Sequence, residues 1–119
     1  MNNEAISLES EKGYTDIVKM LLGRPEVNPG ANDNSAIRSA SEKGYSEIVK
    51  MLLDRSEVNP SANDNEAIRI ASAKGYSSIV KMILGRPDVN PGALDNQALI
   101  AAVKNGHTEI LKLLLKDGR

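Results

Sequence analysis

AIRSASEKGYSEIVKMLL, residues 36–53, returns in close copies at residues 5–22 (AISLESEKGYTDIVKMLL), 67–84 (AIRIASAKGYSSIVKMIL) and 98–115 (ALIAAVKNGHTEILKLLL). Gly13, Gly44, Gly75 and Gly106 are each 31 residues apart, so one structural unit is used four times. A recurring unit of this length predicts a solenoid in which each copy contacts its neighbours. The units divide as residues 1–31, 32–62, 63–93 and 94–119 of a single repeat domain, the first and last acting as caps.

The second unit displays the pattern most plainly. Asp33 and Asn34 are placed to cap a helix beginning near Ser35, since short polar side chains accept hydrogen bonds from unpaired first-turn amides. Ala36, Ile37 and Ala40 then form an apolar stripe, with Arg38, Glu42 and Lys43 turned elsewhere. Gly44 ends this first helix, where a residue just past the end commonly needs positive φ. Ser46 offers a second cap, and Glu47 suits the positive end of the next helix dipole. Ile48, Val49, Leu52 and Leu53 make the buried stripe of the second helix, Met51 fills beside them and Lys50 stays in water. Pro60 and its polar neighbours in DRSEVNPSAND make that segment a connector.

The units differ in informative places. In the first, Glu9 stands where Ala40, Ala71 and Ala102 stand, and Ser7 replaces a recurring arginine, which suits a solvent-facing cap. The second and third units differ only at positions 35, 39, 42, 47, 52, 54, 56, 57 and 61, each compared with the residue 31 further on. The fourth carries Ile100 and Val103 where inner units have arginine and serine. Packing inward is the favoured account of these two residues, and joining end to end with another copy is the alternative.

Composition narrows the function. With 40% hydrophobic residues but no Phe or Trp and only Tyr14, Tyr45 and Tyr76, the core is aliphatic and its helices stack closely. Fifteen basic against sixteen acidic residues and a pI near 5.8 leave no field to attract nucleic acid or an anionic membrane. The absence of cysteine removes disulfides and thiolate metal sites. No apolar run approaches the roughly 20 residues of a membrane span, and MNNEAISLES lacks the regions of a signal peptide, so a cytoplasmic setting is expected.

The segments KGYSEIVKMLL and NGHTEILKLLL resemble the second half of an ankyrin repeat, and VNPSANDNSAIRSAS occupies the place of that repeat's connector and first helix. The likeness extends over all four units. It departs in length, because the usual ankyrin repeat has about 33 residues, and in Ser35–Arg38, which replace the family's Thr-Pro-Leu-His. Shortened units of this kind are similar to those in long arrays of protists and large viruses. The resemblance implies an all-α, ankyrin-like solenoid of four helix-turn-helix repeats, and the shortening implies tight connectors with little or no β-hairpin.

Several residues invite a chemical reading and have a simpler one. His107, the only histidine, has no cysteine or second histidine to build a metal or catalytic set, and it occupies the structural His position of the resembled family. The tyrosines share that place, with rings packed beneath the turn and hydroxyls directed to a polar partner. Asn-Asp-Asn at 32–34 and 63–65, and Asp95-Asn96, fit helix capping better than calcium, which would need more acids, a turn glycine and a closing Glu. Asn28, Asn59 and Asn90 suit a ladder between connectors. Lys19, Lys50, Lys81 and Lys112 form a ridge expected to be neutralised by Asp16, Glu47 and Glu109 at i, i+3.

By the same resemblance, a non-enzymatic scaffold binds a protein partner through its concave helix-one and connector face. On this chain that face comprises Asn34, Ser35, Arg38, Glu42 and Lys43 in the second unit. It continues with Asn65, Glu66, Arg69, Ala73 and Lys74 in the third, and Gln97 and Lys104 in the fourth. No catalytic residue, cofactor or metal is expected, nor nucleic acid or membrane as partner. A monomer is expected, with end-to-end self-association as the exception. The alternative is a designed or consensus-like ankyrin repeat chain with no dedicated natural partner, suggested by the near-identical inner units and their polar, little-differentiated face.

Overall fold

A computed structural model describes residues 4–89 and 93–117 of the chain. Four helix pairs follow one another: α1 (Glu4–Lys12) with α2 (Thr15–Leu22), α3 (Ala31–Lys43) with α4 (Ser46–Leu53), α5 (Ala62–Lys74) with α6 (Ser77–Leu84), and α7 (Ala93–Lys104) with α8 (Thr108–Asp117). The first helices pack in one layer, α1 on α3 on α5 on α7, and the second helices form a parallel layer behind them. The result measures 41 × 22 × 18 Å, with no strand among the described residues. The all-α, hairpin-poor solenoid expected from the shortened connectors is the fold observed.

Aliphatic burial holds the stack together. Ala36, Ile37 and Ala40 of α3 and Ile48, Val49 and Leu52 of α4 are wholly buried, as are Ala67, Ile68, Ala71, Val80 and Ile83 one unit on. Each fully buried aliphatic chain of this size contributes roughly 1.5–3 kcal/mol. Valines 27, 58 and 89 extend the same core under the connectors. Alanine recurs where the first helices approach, because a larger side chain there would hold the two layers apart.

The turn inside each pair explains the invariant spacing of the glycines. Gly13, Gly44, Gly75 and Gly106 all lie at φ between 70° and 83°, the left-handed region that penalises any side chain. A Cβ at Gly13 would stand 2.8 Å from the Tyr45 ring, one at Gly44 2.9 Å from Tyr76, and one at Gly75 2.8 Å from His107. Gly13, Gly44 and Gly75 are therefore seats for the ring of the following unit. The rings of Tyr45 and Tyr76 pack as expected, although their hydroxyls make no hydrogen bond among the described residues. His107 has its expected structural role, with Nε2 donating to the Ala73 carbonyl at 2.9 Å across the unit boundary.

The capping expectations are corrected. Ser46 is the first residue of α4, behind an N-terminal Tyr45 that makes no side-chain cap; Val49 N–H bonds the Tyr45 carbonyl directly. Asn32, Asp33 and Asn34 all adopt left-handed backbone (φ 57°, 54° and 59°), and right-handed helix resumes at Ser35. Asn and Asp tolerate that region because their short polar side chains lower its cost. The motif therefore makes a left-handed kink, repeated at Asn63, Asn65 and Asn96. Asn34 is buried, and its amide oxygen accepts the backbone N–H of Asn59 at 2.8 Å. That bond, and not the expected ladder of Asn28 and Asn59 side chains, joins connector to connector. Asn28 and Asn59 instead close local turns onto the N–H groups of Gly30 and Ser61, and Asn90 lies outside the described residues.

A second ladder escaped the sequence reading. Arg55 donates to the Leu22 carbonyl at 2.8 Å, and Arg86 donates to Leu53 at 2.9 Å and to Val58 at 2.8 Å. Both guanidiniums also pair with the acid two residues on, Glu57 or Asp88. The Arg55 hydrogen bond and Glu57's own backbone amide hold the Glu57 carboxyl below the usual carboxylate range. The signal was present as Arg24, Arg55 and Arg86 recurring 31 residues apart, each followed at i+2 by an acid.

Two predictions follow from these contacts. Gly44→Ala meets both left-handed strain and the Tyr76 ring and should lose about 2–3 kcal/mol in urea unfolding, whereas Gly106→Ala meets only the strain and should lose about 1 kcal/mol. Arg86→Lys should lose about 1–3 kcal/mol, because an ammonium cannot fork between two carbonyls and a carboxylate, while Arg24→Lys at an exposed pair should change stability by less than about 0.5 kcal/mol.

Candidate protein-binding surface

The face formed by the first helices is where the sequence places its binding residues, and the structure divides them into two groups. The first group is engaged within the protein. Asn34 and Asn65 are buried, so neither offers its side chain to a partner. Ser35 Oγ lies 2.6 Å from Ser7 Oγ. Arg38 bridges α3 to α5 through Glu66 at 2.6 Å and also donates to the Asp33 carbonyl, with about a quarter of each charged side chain left exposed. These residues tie unit to unit before they can meet anything else.

The second group is open. Glu42, Lys43, Lys74, Gln97 and Lys104 are exposed, and Ala73 is partly so. Four of the expected residues, Arg69, Ala73, Gln97 and Lys104, converge on one groove of about 320 Å³ between α5 and α7. Its remaining walls are Ile70, Ile100, Ala101 and Asn105. The two alanines and two isoleucines supply the apolar surface, and a guanidinium, an ammonium and two amides surround it. Asn105 is fixed in place by donating to the Ala101 carbonyl at 2.8 Å.

Sequence reasoning missed Ile70 and read Ile100 differently. Inward packing of Ile100 and Val103 is not what the structure shows: Ile100 is 55% exposed and Val103 is exposed too, each in a register that in the inner units faces the next helix pair. Ile100 occupies the register of Arg38, whose guanidinium reaches forward to Glu66; an aliphatic chain cannot make that bond. The signal for Ile70 lay in the short set of differences between the inner units. Two of them, at 39 and 42, become Ile70 and Ala73, which line the groove from α5.

The second helices carry clefts of similar size, about 410 Å³ beside Leu84 and Leu113 and about 300 Å³ beside Leu22 and Met51, but none of the expected binding residues lines them. Lys19, Lys50, Lys81 and Lys112 are exposed along the second helices, but Asp16, Glu47 and Glu109 form no ion pair with them. Exposed pairs gain too little to hold two flexible side chains together. Among the described residues no group of three His, Cys, Asp or Glu side chains could hold a metal ion, and no helix is long and apolar enough to cross a membrane.

Comparison with known proteins agrees with this geometry. A family model of ankyrin repeats in three copies matches residues 4–95, and a single ankyrin repeat model matches residues 94–119. No curated protein matches the chain as a relative. Paired helices stacked in two layers, glycine turns that seat the next unit's ring, and a family model running through nearly the whole length carry the same conclusion: the chain belongs to the ankyrin repeat family.

Proposed function

We propose that the chain is a non-enzymatic scaffold that binds a protein partner on its helix-one face, with the α5/α7 groove as the anchoring site. Ankyrin repeats are in general protein–protein interaction modules. The observation that carries the specific reading is the apolar floor of Ile70, Ala73, Ile100 and Ala101 beside Arg69 and Lys104. Such a surface suits a partner segment with one bulky apolar side chain flanked by acids, because burial supplies the affinity and the cations select its neighbours. Glu42, Lys43 and Lys74 extend the contact along the stack.

No catalytic step belongs to this reading. His107 is held between the Gly75 turn and the Ala73 carbonyl. Neither nucleic acid nor membrane is part of it, and its setting is the cytoplasm. The alternative, a consensus-like chain without a partner, gives no reason for Ile70 and Ala73 to depart from the second unit together in the groove.

A displayed peptide library panned on the intact chain tests the reading. Recovered binders should lose about tenfold or more in affinity on Ile100→Asp or Ala73→Glu, and should be indifferent to Lys50→Ala with Lys81→Ala on the opposite face. Binders insensitive to both groove substitutions would refute it.

A further inference from the structure

The two ends of the stack carry complementary halves of the interface that the interior repeats. Gly13, Gly44 and Gly75 each hold the ring of the next unit, yet a Cβ at Gly106 would meet nothing within 4 Å. At the other end Tyr14, the only ring of the set without a glycine beneath it, is 51% exposed. The same contrast holds around it. Ile17 and Met20 (72% exposed) stand in the registers of Ile48 and Met51, which the preceding pair covers. Val103 is 60% exposed in the register of Ser10, Ser41 and Ser72, all of which are fully buried, and Leu115 of α8 is exposed as well. Among the described residues Arg24 pairs with Glu26 alone, whereas Arg55 and Arg86 also clamp a carbonyl of the preceding unit.

We infer that a second copy of this chain stacks head to tail on the first, with Tyr14 of one copy over Gly106 of the other and Arg24 directed at the Leu115 carbonyl. The register is that of the internal units: Arg55 reaches Leu22 and Arg86 reaches Leu53, and the next step in that series joins Arg24 of one copy to Leu115 of another. The occupant is another copy because both halves already fit each other three times inside the molecule. The contact is heterologous, so one copy added leaves both outer ends open and growth continues as a chain of copies. Glu9 limits it. The carboxylate takes the register of Ala40, Ala71 and Ala102, all fully buried, and would be pressed against the apolar end of α7. This inference uses the ends of the stack and is independent of the groove.

Sedimentation of the whole chain from about 5 μM to about 1 mM decides it. The average mass should climb above the 12.8 kDa of one chain, and Glu9→Ala should lower the concentration needed about tenfold. Ile17→Glu and Val103→Glu, both at exposed positions, should each give monomers whose helicity by circular dichroism is unchanged. Mixed together, they should form pairs and nothing larger, since only one productive contact survives. Leu115→Lys replaces Val103→Glu if that variant loses helicity. A monomer at every concentration even with Glu9→Ala, association that survives the end substitutions, or blocked chains that fail to pair would overturn the proposal.

Discussion

A helix pair of this chain hides its aliphatic stripe only against the pairs before and after it, and everything else in the structure answers to that requirement. Ile48 and Ile79 are sealed because a neighbour lies on them, while Ile17, identical in type and register, is not. Burial is thus a property of position in the stack as much as of the residue. The glycine turns serve the same end: a left-handed residue without a Cβ lets a ring from the next unit lie on the backbone itself, fixing the offset between neighbours.

Polar groups then specify what burial leaves loose. Aliphatic surfaces are tolerant of sliding, whereas the Asn34 amide on the Asn59 N–H and the Arg86 guanidinium on the Leu53 and Val58 carbonyls have one geometry each. These bonds satisfy backbone groups at helix ends and in connectors that shortened repeats cannot pair in a hairpin. A left-handed run at Asn32–Asn34 is the local cost of placing that amide, and Asn and Asp are the residue types for which the cost is smallest.

The same logic divides the helix-one face. Where Arg38 meets Glu66, the cleft between first helices is closed by the protein's own charges. Between α5 and α7, Gln97 stands in the register of Glu66, so the carboxylate of that ion pair is replaced by an amide and a groove remains open. The two proposals therefore draw on different surfaces: the groove runs along the side of the array, and the unmatched Tyr14 ring and Val103 lie at its ends.

The repeat length, the helix pairs, the glycine turns and the aliphatic core were legible from the chain alone, because a 31-residue period forces equivalent residues into equivalent surroundings. His107 was read correctly for the same reason. What the period hides is any distinction between equivalent residues, and that distinction belongs to tertiary structure. Asn34 looked like a cap until its side chain was seen crossing to the next connector, and Arg55 looked like a turn residue until its guanidinium was found on the preceding unit. Ile100 and Val103 read as core by composition, yet stand in water because the cover that hides their counterparts comes from a neighbouring pair, which local sequence cannot supply.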